Sequence, residues 1–207
     1  MEEHPARARL GLSPRLKILV IPGSLRAKSY NVRLAALAAK ELTLADAQVT
    51  RISLGDYPLP LYDADLAQES GPPEHAVRLK QLMSAHQGVF IASPEYNASV
   101  TPLLKNAIDW ISAVREGGEP ALAAYQNRVF AIAGASPGRS GARQSMLALR
   151  QILAVGCRAL VLAEQVSVPN AEHAFDEMDG LRDSRAAGEL KLLVRKLVET
   201  ARVLTGR

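Results

Sequence analysis

Five short apolar runs recur along the chain, and longer segments with a different spacing separate them. The runs are rich in branched apolar residues, and each is short enough to be a strand buried on both faces. In chain order they are Lys17 to Ile21, Gln48 to Ile52, Gly88 to Ala92, Arg128 to Ala133 and Ala159 to Ala163. The pattern therefore predicts five buried strands.

The segments between these runs carry apolar residues at intervals of three and four, as on one face of a helix. The last segment is the clearest, because its apolar positions from Leu190 to Leu204 trace one face with charges opposite. The earlier helical patterns are Leu34 to Glu41, Val77 to Met83, Leu103 to Ile111 and Ala142 to Leu153. The chain thus alternates between strand and helix.

This alternation predicts an α/β fold, in which a parallel sheet is covered by helices on both faces through right-handed crossovers. Five strands in about 200 residues favour the three-layer, flavodoxin-like order 2-1-3-4-5 over the larger Rossmann order with six strands. In such a sheet the ligand binds beyond the carboxyl ends of the strands, near strands one and three. The loops after these strands should therefore build the site.

Length, composition and charge limit the classes of function. The chain has 207 residues, 48% of them hydrophobic, and no linker rich in Pro, Gly or Ser divides it. This predicts one domain over residues 16–207 after a flexible tail over residues 1–15. Lysine and arginine exceed aspartate and glutamate by four (25 against 21), and the basic residues are scattered. The charge indicates no nucleic-acid stripe and favours anionic small molecules.

Cysteine content and hydropathy bear on the compartment. Cys157 is the single cysteine, which excludes an internal disulfide and a zinc site of several cysteines, and we expect a buried thiol. No apolar stretch approaches the roughly 20 residues that cross a bilayer. The segment from Met1 to Pro14 lacks the apolar core of a signal peptide. We therefore expect a cytoplasmic protein without membrane or nucleic-acid partners.

The loop after the first predicted strand has the composition of a phosphate site. Ser24, Ser29 and Asn31 offer hydroxyl and amide donors, and Arg26 offers a fixed positive charge. The first backbone N–H groups of the following helix have no partner within it, so they too can face an anion. The ligand should therefore carry a phosphate.

Two common nucleotide motifs do not match this loop. No Gly-Lys-Ser or Gly-Lys-Thr closes it as in a P-loop, and the spaced glycines of the dinucleotide fingerprint are missing. A second interpretation of the loop stays open, in which Ser29 or Asn31 only caps the helix.

Two further loops should face the first across the sheet edge. After the third strand come Pro94, Glu95, Tyr96 and Asn97, where a stiff turn, a flat ring and exposed amides could bind a planar heterocycle. An ordinary turn before a helix start at Thr101 is the alternative. After the fourth strand, the small residues from Gly134 to Gly141 permit close approach of a ligand. A phosphate and a ring together indicate a mononucleotide cofactor.

Three motifs in this order resemble the NADPH-dependent FMN reductase family, the flavodoxin-like quinone, chromate and azo-dye reductases. They are Gly-Ser-Leu-Arg-x-x-Ser-x-Asn at 23–31, Pro-Glu-Tyr-Asn at 94–97 and Leu-Lys-Asn-Ala-Ile-Asp-Trp at 104–110. The resemblance extends from about Lys17 to the last helix. It implies bound FMN, hydride uptake from NADPH or NADH, and a homodimer or homotetramer.

The resemblance also implies residue roles. The FMN phosphate would lie among Ser24, Arg26, Ser29 and Asn31, whereas the isoalloxazine would be lined by Pro94, Glu95, Tyr96 and Asn97, with Ser136 and Gly138 beside it. The chain departs from the family at Pro137, where members often carry a glycine, and this removes a backbone donor.

If FMN is bound, the flavin N5 carries the chemistry and no catalytic side chain is required. NAD(P)H and then a quinone, chromate, azo dye or free flavin would use the same opening, which predicts ping-pong kinetics. One rival is a flavodoxin-type carrier reduced by a partner protein, although such carriers are usually acidic on the docking face. A second rival is a hydrolase or regulatory domain without flavin, but no Gly-x-Ser-x-Gly elbow occurs.

Other polar and aromatic residues are expected to be structural. Trp110 is spaced with Leu103 and Ala107 at helical intervals, which favours a core position. The four histidines lack the carboxylate or cysteine spacing of a metal site, and we expect all of them on the surface. They are His4, His75, His86 and His173.

Overall fold

The computed structural model describes residues 14–206, and its five strands form one parallel sheet. The predicted strands are confirmed, with the last two extended at their carboxyl ends. Their bounds are β1 (Lys17–Pro22), β2 (Gln48–Arg51), β3 (Gly88–Ala92), β4 (Val129–Ala135) and β5 (Leu160–Val168). The predicted tail over residues 1–15 lies outside the described residues, apart from Pro14 and Arg15.

Six α-helices connect or follow the strands. They are α1 (Tyr30–Leu44), α2 (Ala64–Ser70), α3 (Glu74–Ser84), α4 (Pro102–Ala113), α5 (Arg143–Gln151) and α6 (Ser184–Leu204). Several begin at a side-chain cap: Ser29 accepts a backbone N–H at the start of α1, and Thr101 does so before Pro102 in α4. Short 3₁₀ turns lie at Leu54–Asp56 and Ala123–Tyr125, and a π-turn at Ile152–Gly156 extends α5.

The strand order is β2-β1-β3-β4-β5, as the flavodoxin-like prediction requires. All four neighbouring pairs are parallel; Val20 of β1, for example, lies between Arg51 of β2 and Phe90 of β3. The strand order reverses at β1: the chain continues from β1 to β2 on one side, and from β3 to β4 on the other side. The carboxyl ends of β1, β3 and β4 consequently meet at one edge, where a ligand crevice is expected.

Alternation along each strand sends side chains to two cores. Ile18 and Val20 pack with helices α1 and α6 on one face, whereas Leu19 and Ile21 pack with α3, α4 and α5 on the other. Phe90 and Phe130 are fully buried at the centre, one in each core. The sheet is thus sandwiched between two helical layers, and the prediction of a three-layer fold is confirmed.

The expectations for Trp110 and Cys157 are confirmed, because both side chains are buried. Burial raises the pKa of the Cys157 thiol to about 11.

The expectation that His86 lies on the surface is wrong. The His86 ring is buried, and both of its nitrogens have partners: Nδ1 lies 2.6 Å from the Leu82 carbonyl oxygen, and Nε2 lies 2.8 Å from the Thr50 hydroxyl. Burial lowers the pKa of His86. His4 lies outside the described residues.

A buried lysine joins α3 to the segment after α4. Lys80 is 4% exposed, and its ammonium contacts the carboxylates of Glu116, at 2.9 Å, and Glu119. Gln81 donates a second hydrogen bond to Glu116. Despite its burial, the two carboxylates raise the pKa of Lys80, and Lys80 lowers the pKa of both glutamates. The cluster fixes the turn at residues 115–119 onto the helix.

None of the helices within residues 14–206 combines the length and apolar composition that crossing a bilayer demands.

Candidate functional site

The loops after β1, β3 and β4 line one cleft at the carboxyl edge of the sheet. The cleft has a volume of about 220 Å³. Eight of the ten residues expected at a binding site contribute to its lining: Ser24, Arg26, Ser29, Asn31, Pro94, Glu95, Tyr96 and Ser136. Asn97 and Gly138 belong to the same loops but lie outside the lining. Three segments that are far apart in sequence therefore meet at the place that the topology indicates.

The first loop presents two buried hydroxyl groups. Ser24 Oγ accepts the Arg26 N–H at 3.2 Å, and Ser29 Oγ accepts the Asn31 N–H at 3.3 Å. Each hydroxyl therefore retains its own O–H to donate. Both side chains are less than a tenth exposed. The structure shows Ser29 as the cap of α1, and this leaves its hydroxyl hydrogen free for a ligand.

Backbone donors in the same loop are also free. The N–H groups of Leu25, Ala27, Lys28 and Tyr30 have no acceptor among residues 14–206. They surround the N-terminus of α1, where the helix dipole favours negative charge. A set of unpaired donors at a helix start is the arrangement that binds an oxyanion.

Arg26 adds a full positive charge to this loop. Its guanidinium carbon lies 5.7 Å from the centre of the Tyr30 ring, a cation–π contact that leaves the N–H fork unpaired. The side chain is exposed, and no carboxylate within residues 14–206 forms an ion pair with it. Arg26 is thus free to bind an anion with two N–H groups.

Asn31 contacts β4 through its side chain. Its amide donates to the Ala135 carbonyl oxygen at 2.8 Å and accepts the Ala135 N–H at 2.9 Å. These bonds use one donor and one acceptor of the amide inside the protein. Asn31 therefore ties the first loop to the end of β4.

The loop after β3 makes a tight two-residue turn. Tyr96 and Ser99 exchange two backbone hydrogen bonds of 3.0 Å, and Asn97 and Ala98 between them have φ angles of 50° and 59°. Both central residues at positive φ define a type I′ turn. The turn projects the Tyr96 side chain, 51% exposed, at the mouth of the cleft.

Glu95 is directed away from this turn and onto α5. Its carboxylate accepts from the Gln144 N–H at 3.0 Å, the Ser145 N–H at 3.3 Å and the Ser140 hydroxyl at 3.3 Å. Two of the N-terminal donors of α5 are thereby paired by the protein's own carboxylate. The backbone N–H of Glu95 has no acceptor within residues 14–206 and remains free at the cleft.

Close packing fixes the first two loops together. A Cβ at Gly23 would lie 3.0 Å from Pro94 Cδ, so a side chain there would push the loops apart. The Thr101 hydroxyl donates to the Gly23 carbonyl oxygen at 2.8 Å. The Ser145 hydroxyl donates to the Pro94 carbonyl oxygen at 2.7 Å. The cleft walls are consequently held by hydrogen bonds from behind.

The third loop is supported from β5. Ser136 donates its N–H to the Val168 carbonyl oxygen at 3.1 Å, and the Asn170 N–H donates to Gly138 at 3.3 Å. Pro137 lies between them, exposed, and has no N–H to offer. The loop therefore presents the Ser136 side chain and open space at Gly138, where an added Cβ would contact no backbone.

Three further lining residues, Tyr30, Ala135 and Pro137, were not among the ten expected site residues, although the last two lie in the predicted third loop. Tyr30 is the first residue of α1 and follows the cap directly, so its position could have been inferred from Ser29. Ala135 was placed beyond the fourth strand, whereas β4 continues through it.

The hydrogen-bond donors of the cleft include two hydroxyl groups, several free backbone N–H groups and one guanidinium. This set of donors fits the phosphate end of FMN.

Similarity to a known protein family and to known proteins extends over most of the chain. Residues 16–173 match the family model described as NADPH-dependent FMN reductase. An NAD(P)H-dependent FMN reductase of Pseudomonas aeruginosa is 33% identical over 196 residues, which is 94% of this chain and 100% of that protein. A quinone reductase of Escherichia coli is 37% identical over 146 residues, 69% of this chain and 71% of that one.

Among solved structures, the flavoenzyme NAD(P)H:acceptor oxidoreductase FerB from Paracoccus denitrificans superposes with a TM-score of 0.73 at 27% identity. The match covers 91% of this chain and 98% of FerB. The family match spans all three cleft loops and more than half of the chain. The chain belongs to the NADPH-dependent FMN reductase family.

Proposed function

We propose that this protein is an FMN-dependent oxidoreductase that takes a hydride from NAD(P)H and reduces a quinone by a ping-pong mechanism. The observation that carries the proposal is the convergence of three loops on one cleft, with free donors at one end and an exposed ring at the other. Membership of the family supports the enzyme class, and the relatives named above include an FMN reductase and a quinone reductase.

The phosphate of FMN would be held by the first loop. Ser24 and Ser29 would each donate a hydroxyl hydrogen, and Arg26 would supply two N–H groups. The unpaired backbone N–H groups from Leu25 to Tyr30 would complete the shell. Asn31 contributes to this shell by position, since its amide side chain already binds Ala135 and fixes the start of α1.

The isoalloxazine would lie against the second and third loops. Pro94 and Tyr96 offer apolar and aromatic surface, and the free N–H groups of Glu95 and Asn97 can donate to the polar edge of a planar ring. Ser136 and Gly138 would border the opposite side. Bound FMN supplies the redox chemistry, accepting a hydride from NAD(P)H and returning two electrons to the acceptor.

The protein's contribution is position and electrostatics. Backbone N–H groups at the ring edge would stabilise negative charge there by hydrogen bonding, without transferring a proton. The Glu95 carboxylate is engaged by three donors on and before α5, so it is not available as a general base. We therefore assign no catalytic side chain.

The exposed position of Tyr96 supports successive use of one opening by donor and acceptor. A flat, open mouth suits quinones, and chromate, azo dyes and free flavin are further candidate acceptors. The flavodoxin-type carrier is the alternative; such carriers are usually acidic on the docking face, whereas the free charge at this cleft is that of Arg26.

We further propose that residues 16–207 act as one domain, that the protein assembles as a homodimer or homotetramer, and that it functions in the cytoplasm. The single cysteine, Cys157, is buried with a raised pKa, which supports function in a reducing compartment without the need for disulfides.

The test is a visible absorption spectrum of the purified protein, taken before and after anaerobic addition of NADPH. A flavin spectrum that bleaches with NADPH and recovers with a quinone is expected. Parallel lines in double-reciprocal plots of rate against NADPH at several quinone concentrations would support the ping-pong order. A colourless protein that takes up no FMN contradicts the proposal, and a flavin that NADPH leaves oxidised favours the carrier.

A further inference from the structure

A second cavity adjoins the cleft on the side of β2. It has a volume of about 380 Å³ and lies at the carboxyl ends of β1 and β2. Ser24 and Arg26 line both cavities, so they form the boundary between them. The remaining lining includes Arg51, Ser53 and Asp56, none of which faces the proposed flavin site. The family assignment and the FMN site leave this cavity without a role.

The charged side chains of the cavity are not used by the fold. Arg51 ends β2, pairs with Val20 through the backbone, and its side chain forms no hydrogen bond or ion pair within residues 14–206. The same holds for the Asp56 carboxylate, although it lines the same cavity. Elsewhere in the described chain, the half-buried Arg33 and the exposed Arg185 pair with carboxylates.

With Arg26 assigned to the flavin phosphate at the shared wall, the cavity itself brings together one unpaired guanidinium, that of Arg51, and one carboxylate, that of Asp56. The N–H fork of Arg51 suits a phosphate group, because guanidinium binds phosphate with two parallel hydrogen bonds. The Ser53 hydroxyl accepts the Gly55 N–H at 3.2 Å and can still donate its own hydrogen to an anion.

We infer that this second cavity binds the 2′-phosphate end of NADPH, with Arg51 as the residue that selects NADPH over NADH. The inference rests on the proposed function, and it assigns the cavity to the electron donor. NADPH and NADH differ by this one phosphate, so a site that recognises it decides the preference between them. The shared wall at Ser24 and Arg26 connects the cavity to the cleft where the donor's nicotinamide must reach the flavin.

The Asp56 carboxylate fits the nucleoside part of the same ligand. A carboxylate accepts hydrogen bonds, so it suits a ribose hydroxyl or the amino group of adenine and opposes a phosphate placed directly against it. The anion is therefore expected on the Arg51 side of the cavity, and the nucleoside on the side of Asp56. A nucleotide that carries both groups uses the whole lining, whereas a free phosphate uses half of it.

The experiment measures binding without turnover. Adenosine 2′,5′-bisphosphate and 5′-AMP are titrated into the FMN-loaded protein by calorimetry, since they differ by the 2′-phosphate. We expect the bisphosphate to bind at least roughly tenfold more tightly, as a charge-assisted phosphate contact contributes on this scale. In Arg51→Ala the two affinities should become equal, and Arg51→Lys should retain part of the preference.

Steady-state kinetics give a second readout. In Arg51→Ala the ratio of kcat/KM for NADPH to that for NADH should fall by about 10- to 100-fold, chiefly through KM for NADPH. The matched control is Arg202→Ala, which removes the same charge from the last turn of α6 and should leave the ratio unchanged.

Three results would overturn the inference: equal affinity of the wild type for the two nucleotides, an unchanged preference in Arg51→Ala, or loss of FMN from Arg51→Ala, which would assign Arg51 to the flavin phosphate. Failure of the proposed function is distinguishable. A protein without FMN or NADPH oxidation contradicts that function, whereas the nucleotide titration can be made on the same protein and still reports the 2′-phosphate preference.

Discussion

Asn31 and Ala135 lie 104 positions apart in the sequence, yet the side chain of one pairs with both backbone polar groups of the other. The Asn31 amide binds the Ala135 backbone with the two hydrogen bonds that a neighbouring strand would otherwise make, at the residue where β4 ends. Since Asn31 is 3% exposed and Ala135 is also buried, both bonds are largely shielded from water. The contact positions the phosphate-binding loop relative to the loop after β4.

Replacing Asn31 with Ala should destabilise the fold. The change leaves the Ala135 N–H and carbonyl oxygen buried without partners, and each such group costs about 1–3 kcal/mol. We expect the free energy of unfolding to fall by about 2–4 kcal/mol, measured by urea denaturation of the apoprotein. The control is Gln68→Ala, which removes an exposed amide on α2 that makes no side-chain hydrogen bond among residues 14–206. Equal stability of the two variants would contradict the role of Asn31.

Replacing Arg26 with Ala should weaken FMN binding without slowing the saturated enzyme. The guanidinium is free to bind the phosphate, which is remote from the reacting ring, so its loss should raise the Kd for FMN by about 10- to 100-fold. Fluorescence titration of the apoprotein measures the Kd, and kcat is then determined at saturating FMN. Lys28→Ala is the matched control, because it removes one charge from the same loop outside the cleft lining. A similar rise in the Kd for FMN in both variants would indicate that the overall positive charge of the loop, and not a specific Arg26 contact, attracts the phosphate.

Much of the architecture could be predicted from the sequence because the strands of a doubly wound sheet are buried on both faces. The apolar runs of β1 and β3 match their observed bounds to within one residue. β5 was predicted too short, since it is an edge strand whose later residues include Glu164, Gln165 and Ser167. Helix α2 was missed because none of its residues is buried, so no apolar periodicity marks it.

The site was harder to predict at the level of single side chains. The three loops follow from strand order, but the partners of Glu95 and Asn31 depend on where distant backbone groups arrive in space. Nothing near Glu95 in the sequence indicates that its carboxylate caps α5. The burial of His86 was missed for the same reason, since its partner Thr50 lies on β2.

Replacing Tyr96 with Ala should alter the use of donor and acceptor more than it alters FMN retention. The Tyr96 ring is half exposed at the cleft mouth, and the backbone bridge to Ser99 holds the turn whatever side chain is present. Stopped-flow measurement of flavin reduction by NADPH and reoxidation by quinone should show at least one slower half-reaction. Tyr96→Phe keeps the flat face and should retain wild-type rates. If Tyr96→Ala leaves both half-reactions unchanged, the ring does not contact either substrate.

The cluster of Lys80, Glu116 and Glu119 should make stability depend on pH at the acid end. The folded-state pKa of both glutamates lies below the ordinary value of 4.5, so their contribution is present above that pH and is lost as the pH falls through the lowered pKa. The folded-state pKa of Lys80 lies above 10.5, so its contribution persists from neutral pH up to that value and is lost only in stronger alkali.

The variant that tests this cluster is Glu116→Gln combined with Glu119→Gln. At pH 7 it leaves the buried Lys80 ammonium without a counter-charge, so its Tm should lie below that of the wild type. Between pH 6 and about pH 3.5 the wild type should lose more stability than the variant, because the variant has no carboxylates left to protonate at this cluster. Thermal melts over this range measure the Tm of the wild type and of the double variant at each pH.

The control is Glu74→Gln, which breaks an exposed ion pair with Arg78 on the same helix. Its Tm should stay close to that of the wild type at every pH. Parallel curves for the wild type and the double variant would show that the cluster does not govern acid stability.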